Sequence, residues 1–562
     1  MVQLDWVIVL LYFVLVSFYG YWIYKRKKQA ETDSADFFLA KGSLTWWAIG
    51  ASLIASNISA EQMTGMTGSG FQLGLAIASY EWMAAITLII VAVFFMPVYL
   101  KNKIFTMPQF LSQRYNEKVA MIMAVFWLLL YIVVNLLSIL YLGAVAIAGI
   151  TGWNFTFCVL VLALFSIFIA LGGMNVVGYT SAIQVFFLVL SGFIALYISL
   201  DIIGEFKGGG VLQGFTALHK EIPGHFEMIF DKTNPNYIDL PGLSVLIGGL
   251  WIANLSYWGC NQYITQRALG ASLPVARKGI LFAAFLKMLI PVIVVVPGIA
   301  IYYMYQHGIP AISTGDMQIL KDGQQVVDSN KAYPALLKLL PVGVKGVTVA
   351  AFAATVVASL AAKVNSISTI FTLDIYKKVF NKAASEKQLV YIGKAAIIVS
   401  TIIGIVLTLG LGDALMGEGK QGFQYIQEYT GFVSPGIFAM FLLGFFWKKT
   451  TSNAALFAII GGFFFSVILK FLPGWVNLEP LYSIGFAVER DGIWQIPFMD
   501  RMSIVFILCI LGMYIISIVE HARGIKTNGL EIDAKMFKTS TGFTVGSIII
   551  IGLLVALYTV FW

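Results

Sequence analysis

Glu61, Glu81, Lys287 and Lys363 are ionisable residues in stretches otherwise apolar enough to cross a membrane. A charge at bilayer depth costs about 3 kcal/mol or more, so each marks a polar cavity, an ion path or a buried ion pair. Glu81 lies in Ser79-Tyr80-Glu81-Trp82, a carboxylate between aromatic rings, and Gln427 repeats the pairing in Phe423-Gln424-Tyr425-Ile426-Gln427-Glu428. Carboxylates and amides bond hydroxyls while flat rings cover C–H faces, a combination that suits a pyranose, although aromatic stripes also arise from plain helix packing. Lys363 follows Ser359 by four residues. Helical side chains lean toward the N-terminus, so its ammonium is placed to reach back over Ser359. His219, His225, His307 and His521 fall in loops or at span ends, and no acidic pair or Ser/His/Asp set occurs at membrane depth, which argues against an embedded enzyme.

These residues depend for their placement on helices that break at their centres. The chain has 562 residues, 59% hydrophobic and 11% charged, with a mean hydropathy of +0.86, which predicts an all-α polytopic membrane protein. Fourteen segments are long enough to span: about 4–24, 46–70, 76–100, 119–148, 153–171, 178–203, 241–265, 279–306, 344–373, 390–411, 422–446, 452–471, 502–520 and 540–561. The second is interrupted by Ser56-Asn57-Ile58-Ser59-Ala60-Glu61-Gln62 and the seventh by Gly248-Gly249 and Asn254-Leu255-Ser256-Tyr257-Trp258-Gly259-Cys260-Asn261. A helix opens at that depth only where protein, water or a ligand takes over its backbone hydrogen bonds. Two broken helices five spans apart point to an inverted-repeat transporter with its site at the midplane. Ser59 and Gln62 fit a capping box that restarts the second span, with Ser59 accepting from the Gln62 amide and the Gln62 side chain returning to Ser59. The half-helix before it ends near Ala55 with free carbonyls, the negative end of a helix dipole, which suits a small hard cation.

The first apolar run precedes Lys25-Arg26-Lys27-Lys28, the wrong order for a cleaved signal peptide, so it stays as a helix with its N-terminus outside. Threading from there places Lys101, Lys103, Arg114, Lys118, Arg267, Arg277, Lys377, Lys378, Lys448, Lys449 and Arg523 on the inner side of an inner or plasma membrane and both termini outside. The net charge of +8 is thus an orientation signal, and its short clusters without interleaved aromatics exclude nucleic-acid binding. Cys158, Cys260 and Cys509 have no paired spacing, so neither a disulfide framework nor a metal knuckle is indicated. One transmembrane domain is expected over 1–562, with core repeats at about 46–203 and 241–446 and peripheral helices at about 4–24, 452–471, 502–520 and 540–561.

Several runs resemble the solute:sodium symporter family, and most closely its bacterial sodium/galactose and sodium/glucose branch. They include Ala55-Ser56-Asn57-Ile58-Ser59-Ala60-Glu61-Gln62, Ala78-Ser79-Tyr80-Glu81-Trp82-Met83, Pro223-Gly224-His225-Phe226-Glu227-Met228, Gly248-Gly249-Leu250-Trp251, Asp374-Ile375-Tyr376-Lys377 and Gln424-Tyr425-Ile426-Gln427-Glu428-Tyr429-Thr430-Gly431. The resemblance implies a fourteen-helix chain with a five-plus-five inverted-repeat core and alternating access to a central monosaccharide. It implies Asn57, Gln62, Glu81, Asn254, Lys287 and Gln427 as polar sugar contacts. Met66, Tyr80 and Phe423 would close the site from outside, and Tyr257 with Asn135 from inside. A serine usual in the family is Ala84 here, which leaves the identity of the sugar open.

The implied sodium site joins the carbonyls of Ala55 and Ile58 to Thr355, Ala358 and Ser359, so one hydroxyl ligand is missing at Ala358. A family aspartate on the ion's exit corresponds to Ser181, and Lys363 replaces an apolar residue. Two readings follow. In the family default sodium binds the carbonyls and Ser359, and sodium and sugar move together. In the other Lys363 substitutes for sodium, because a second unit charge about 4 Å away costs about 4 kcal/mol at an effective dielectric near 20, and transport is sodium-independent or proton-linked. A sugar sensor that binds without moving its ligand is a third reading, and the lack of a signalling domain before Trp562 opposes it.

Overall fold

The computed structural model describes residues 1–27, 44–104, 106–321, 324–416 and 422–562. Among them eleven helices are long and apolar enough to cross a membrane, or twelve with one bent pair, against the fourteen expected. The difference lies where helices break or join. Trp46–Asn57 is only a half-span, Phe155–Leu171 is short, and Glu61–Lys101 runs through two expected segments without a long gap.

Contacts along Leu273–Gln306 show that the chain nevertheless reverses within Glu61–Lys101. Gly50 lies against Gly279 and Gly70 against Val295, so the first broken span runs parallel to that helix. Trp82 then donates to the Met288 carbonyl at 3.4 Å and Arg277 to the Ala92 carbonyl at 3.0 Å, so the next span runs antiparallel. The reversal is at Gly74, whose φ of 70° and whose clearance from the His225 carbonyl, 2.3 Å from where a Cβ would stand, admit only glycine. Gly298 likewise permits close packing on the Thr67 backbone.

Val344–Thr369 is the central pillar, buried at nearly every position from Thr348 onward. Gln3–Lys27, Phe498–Ala522 and Thr541–Val560 sit at the periphery, with leucine, isoleucine, valine and tyrosine side chains exposed in rows that a bilayer would cover. Asp5 accepts from the Gly343 and Gly346 amides at 2.8 and 3.2 Å, and the Met228 amide donates to the Phe561 carbonyl at 2.8 Å. Both chain ends therefore lie on one face, with the 207–242 and 307–343 loops. There Lys207 and the Tyr303 hydroxyl bond Glu221 and hold its carboxyl below the usual range. On the opposite face Arg114 donates to the carbonyls of Gly444, Trp447 and Thr450, collecting the free C-terminal groups of Ser434–Phe446.

The chain is not purely helical. Gln318–Lys321 pairs with Gln324–Val327, and Val488–Arg490 with Ile493–Gln495, as two antiparallel hairpins in the loops. Lys28, and the side chains of Arg26, Lys27 and Ser181, lie outside what the structure describes.

Candidate functional site

The first break falls where the sequence places it. Trp46–Asn57 ends, Ile58 is extended, and the chain restarts at Ala60 as the wide, π-type turn Glu61–Met66. Half of the expected capping box is made. The Gln62 side chain accepts from the Ser59 amide at 3.2 Å, but the Ser59 hydroxyl accepts from the Glu61 amide, at 3.2 Å, instead of the Gln62 amide, because the widened turn brings the nearer N–H into line.

The second break is displaced from the expected centre. Leu243–Ile247 ends at Gly248, Gly249–Cys260 is continuous through Asn254 and Tyr257, and the chain opens again at the extended residue Asn261 before Gln262–Leu269. Tyr131, on the facing helix, donates to the Asn261 side chain and accepts from the Gln262 amide at 3.2 Å. A third interruption was not expected: Gly422–Gly431 and Ser434–Phe446 meet at 49°. Its signal was Thr430-Gly431 followed by Ser434-Pro435, a glycine stop and a proline start.

Between these breaks lies a tight cavity of about 70 Å³. Asn57, Gln62, Glu81, Asn254, Lys287 and Gln427 all line it. Lys287 donates to both Glu81 and Asn57, and Asn57 donates in turn to the Tyr257 hydroxyl at 3.0 Å. One lysine thus ties three helices at a point where it is 1% exposed. Its ammonium also stands 5.1 Å over the Trp258 ring. The Asn254 amide NH₂ bonds the Leu250 carbonyl at 3.2 Å, leaving its oxygen for the cavity, and Ala84 lines the wall beside Glu81. Trp258, Asn261 and Thr430, which stand within the quoted runs but were not named as site residues, line the cavity too, as does Ser434, which no quoted run contains.

Toward the face that carries the chain ends the cavity is shut. Tyr80 and Phe423 meet edge to face at 5.1 Å, and the Tyr80 hydroxyl donates to Gln424 at 3.0 Å. Met66 is fully buried but does not line the cavity. Tyr257 and Asn135 form the other end, where Tyr257 and Asn261 keep partial exposure.

The implied ion site lies behind this wall. None of Ala55, Ile58, Thr355 and Ser359 lines the cavity. The Ser359 hydroxyl donates to the Ser56 carbonyl at 3.1 Å, and Thr355 to its own helix at Ala351, 2.8 Å away. Ser359 therefore meets the unwound segment at a carbonyl between the two anticipated ones. Lys363 lines the central cavity together with Glu61, whose charge acts on its ammonium and whose carboxylate accepts from Ser138.

Helices broken at mid-membrane around a polar cavity, closed toward one face, define a membrane transport protein. The sodium:solute symporter family model matches residues 37–462, and the chain belongs to that family; it is a transporter and not an enzyme. It is 45% identical over 561 residues to a sodium/glucose cotransporter of Vibrio parahaemolyticus, covering all of this chain and 98% of that one. It is 32% identical to sodium/glucose cotransporter 4 of Danio rerio, over 82% of this chain and 70% of that one. A solved Na⁺-coupled sialic acid symporter in a substrate-bound outward-open state has the same fold, with a TM-score of 0.75 at 18% identity over 92% of this chain and 98% of that one.

Proposed function

We propose that this protein moves a monosaccharide of the galactose or glucose type across an inner or plasma membrane together with sodium, by alternating access within a five-plus-five core. The face bearing both chain ends is the outer one, and the opposite, arginine-capped face is cytoplasmic. The carrying observation is the convergence of Asn57, Gln62, Glu81, Asn254, Lys287 and Gln427 on one cavity roofed by Tyr80 and Phe423.

Two lysines, Lys287 and Lys363, and two glutamates, Glu61 and Glu81, line that cavity, so its formal charges cancel and a neutral polyol fits better than an anion. The amides and the Lys287–Glu81 pair offer donors and acceptors at several angles, and the ring faces of Tyr80 and Trp258 suit sugar C–H groups. Sodium travels as cargo at the unwound segment, held by carbonyls of Ala55 and Ile58 with Ser359 and Thr355. The bond from Ser359 to the Ser56 carbonyl links the ninth span to the break, so a cation settling there pulls on the same backbone that carries Asn57 and Gln62.

This reading keeps sodium as the coupling ion despite Lys363. An unpaired ammonium would repel it, but Glu61 shares the cavity with Lys363 and offsets that repulsion. The test is uptake of labelled galactose and glucose into proteoliposomes with and without an inward sodium gradient. Accumulation that requires the gradient is expected, in native protein and in Lys363→Met alike. Sodium-indifferent uptake that becomes sodium-dependent in Lys363→Met would overturn the coupling and make Lys363 the built-in cation. Sugar binding with neither accumulation nor counterflow would point to a sensor.

A further inference from the structure

Gly422–Gly431 carries both roof partners of Tyr80, Phe423 and Gln424, and also the cavity residue Gln427. The next residue, Glu428, turns away from the cavity toward two cations on helices outside the proposed core. Lys470, at the end of Gly462–Phe471, bonds it at 2.6 Å, and Arg501, in the first turn of Phe498–Ala522, bonds the same carboxylate oxygen. Arg501 is 8% exposed and the Glu428 side chain 20%, so this pair is shielded from the screening that weakens surface ion pairs. The guanidinium bonds Glu428 through Nη2, while its buried Nε has no hydrogen-bond partner among the described residues.

The half-helix thus has two fixed sides. One packs on the restarted turn Glu61–Met66, where Phe423 lies against Gly65, and the other is bolted to the peripheral helices. Only 49° and two residues separate it from the rest of its span. Because its attachment to Ser434–Phe446 is broken, it can tilt as a unit, and opening the roof requires Phe423 and Gln424 to leave Tyr80.

We propose that Glu428, held by Arg501 and Lys470, is a positioning residue that clamps the roof shut, so that the peripheral helices set how often the cavity opens toward the face bearing the chain ends. The clamp goes beyond the sugar and sodium reading and depends only on the roof.

The test uses full-length protein in proteoliposomes with no sugar and no sodium, so its failure is separate from failure of the transport reading. Cys158, Cys260 and Cys509 are replaced by alanine, a single cysteine is placed at the cavity wall as Ala84→Cys, and a membrane-impermeant maleimide is presented only to the face bearing the chain ends. Glu428→Gln is expected to raise the labelling rate about tenfold, the population shift of a clamp of ordinary strength. The reversed pair Glu428→Arg with Arg501→Glu is expected to bring the rate back toward that of the parent with the clamp intact, a recovery that general damage to packing would not give. An unchanged rate in Glu428→Gln, or a raised rate that the reversed pair leaves raised, overturns the clamp. If Glu428→Gln does not insert, Arg501→Gln, which leaves Glu428 with Lys470, carries the same test with a rise of about threefold expected, and no rise overturns it.

Discussion

The two mid-membrane breaks that meet at the cavity solve the same problem in opposite ways. At Ser59 the chain caps itself, since the Gln62 side chain takes the Ser59 amide and the Ser59 hydroxyl takes the Glu61 amide. At Asn261 the open backbone is served from another helix, by the Tyr131 hydroxyl. A self-capped break keeps its shape whatever its neighbours do. A break capped in trans holds only while the two helices keep their relative position, so it belongs where movement between them is part of the cycle. The site fits this division: Asn57, beside the self-capped break, is the fixed partner of Lys287, and Tyr257, ahead of the other, is the group it holds across the gap.

Removing the lysine that anchors the self-capped break should have the largest effect. Lys287→Met removes the ammonium that joins Asn57 to Glu81 and leaves a buried carboxylate unpaired, at a cost of about 3–5 kcal/mol. Sugar uptake should fall at least about a hundredfold, with a lowered thermal midpoint in detergent; near-normal transport would show that Asn57 does not need Lys287 as its fixed partner.

Tyr131→Phe comes next. Losing the hydroxyl strips the Gln262 amide and the Asn261 side chain of a partner and should cost about 1–3 kcal/mol, read as faster hydrogen exchange at residues 261–265. If exchange rises equally at residues 58–62, the trans-capped break is not an independent unit. Ser359→Ala tests the bond from the ninth span to the backbone of the first break and should raise the sodium concentration for half-maximal uptake about tenfold while leaving the sugar's own affinity at saturating sodium unchanged. The smallest change is expected for Ser59→Ala. The Gln62 side chain still caps the Ser59 amide, so stability should drop by about 1 kcal/mol with uptake within about threefold of native. A larger loss would mean that the self-cap is under load during transport.

The same contrast explains what could be read in advance. The first break was legible because its cap is spelled in consecutive residues, Ser59-Ala60-Glu61-Gln62. The second was located only roughly, since its partner Tyr131 is 130 residues from Asn261 and no local signal names it. The polar residues of the cavity announced themselves by type, because an amide or a charge in an apolar stretch is costly unless it is used. Their mutual bonds did not: Lys287 with Glu81 and Asn57, and Glu428 with Lys470 and Arg501, join helices far apart in the chain. Lys363 shows the limit of local reasoning. Its spacing set it one turn from Ser359, yet it lines the central cavity, which Ser359 does not, and the group that offsets its charge, Glu61, comes from the restarted turn of another span. Pro435 was a visible signal that went unused, for a proline near the start of an apolar run reads equally as an ordinary helix start.

Asp5 carries a consequence for how the molecule is made. Its carboxylate closes on the Gly343 and Gly346 amides, 338 and 341 residues later. At a synthesis rate of about 5–20 residues per second, helix Gln3–Lys27 waits in lipid for roughly 17–70 seconds before its docking site leaves the ribosome. Through that interval the Asp5 carboxylate must be satisfied by water and headgroups at the membrane surface, while the helix behind it meets only earlier-made neighbours such as Trp153, Phe165 and Phe187. Seating that helix is accordingly a late event in assembly, and it seals the start of the central pillar after the pillar has been threaded.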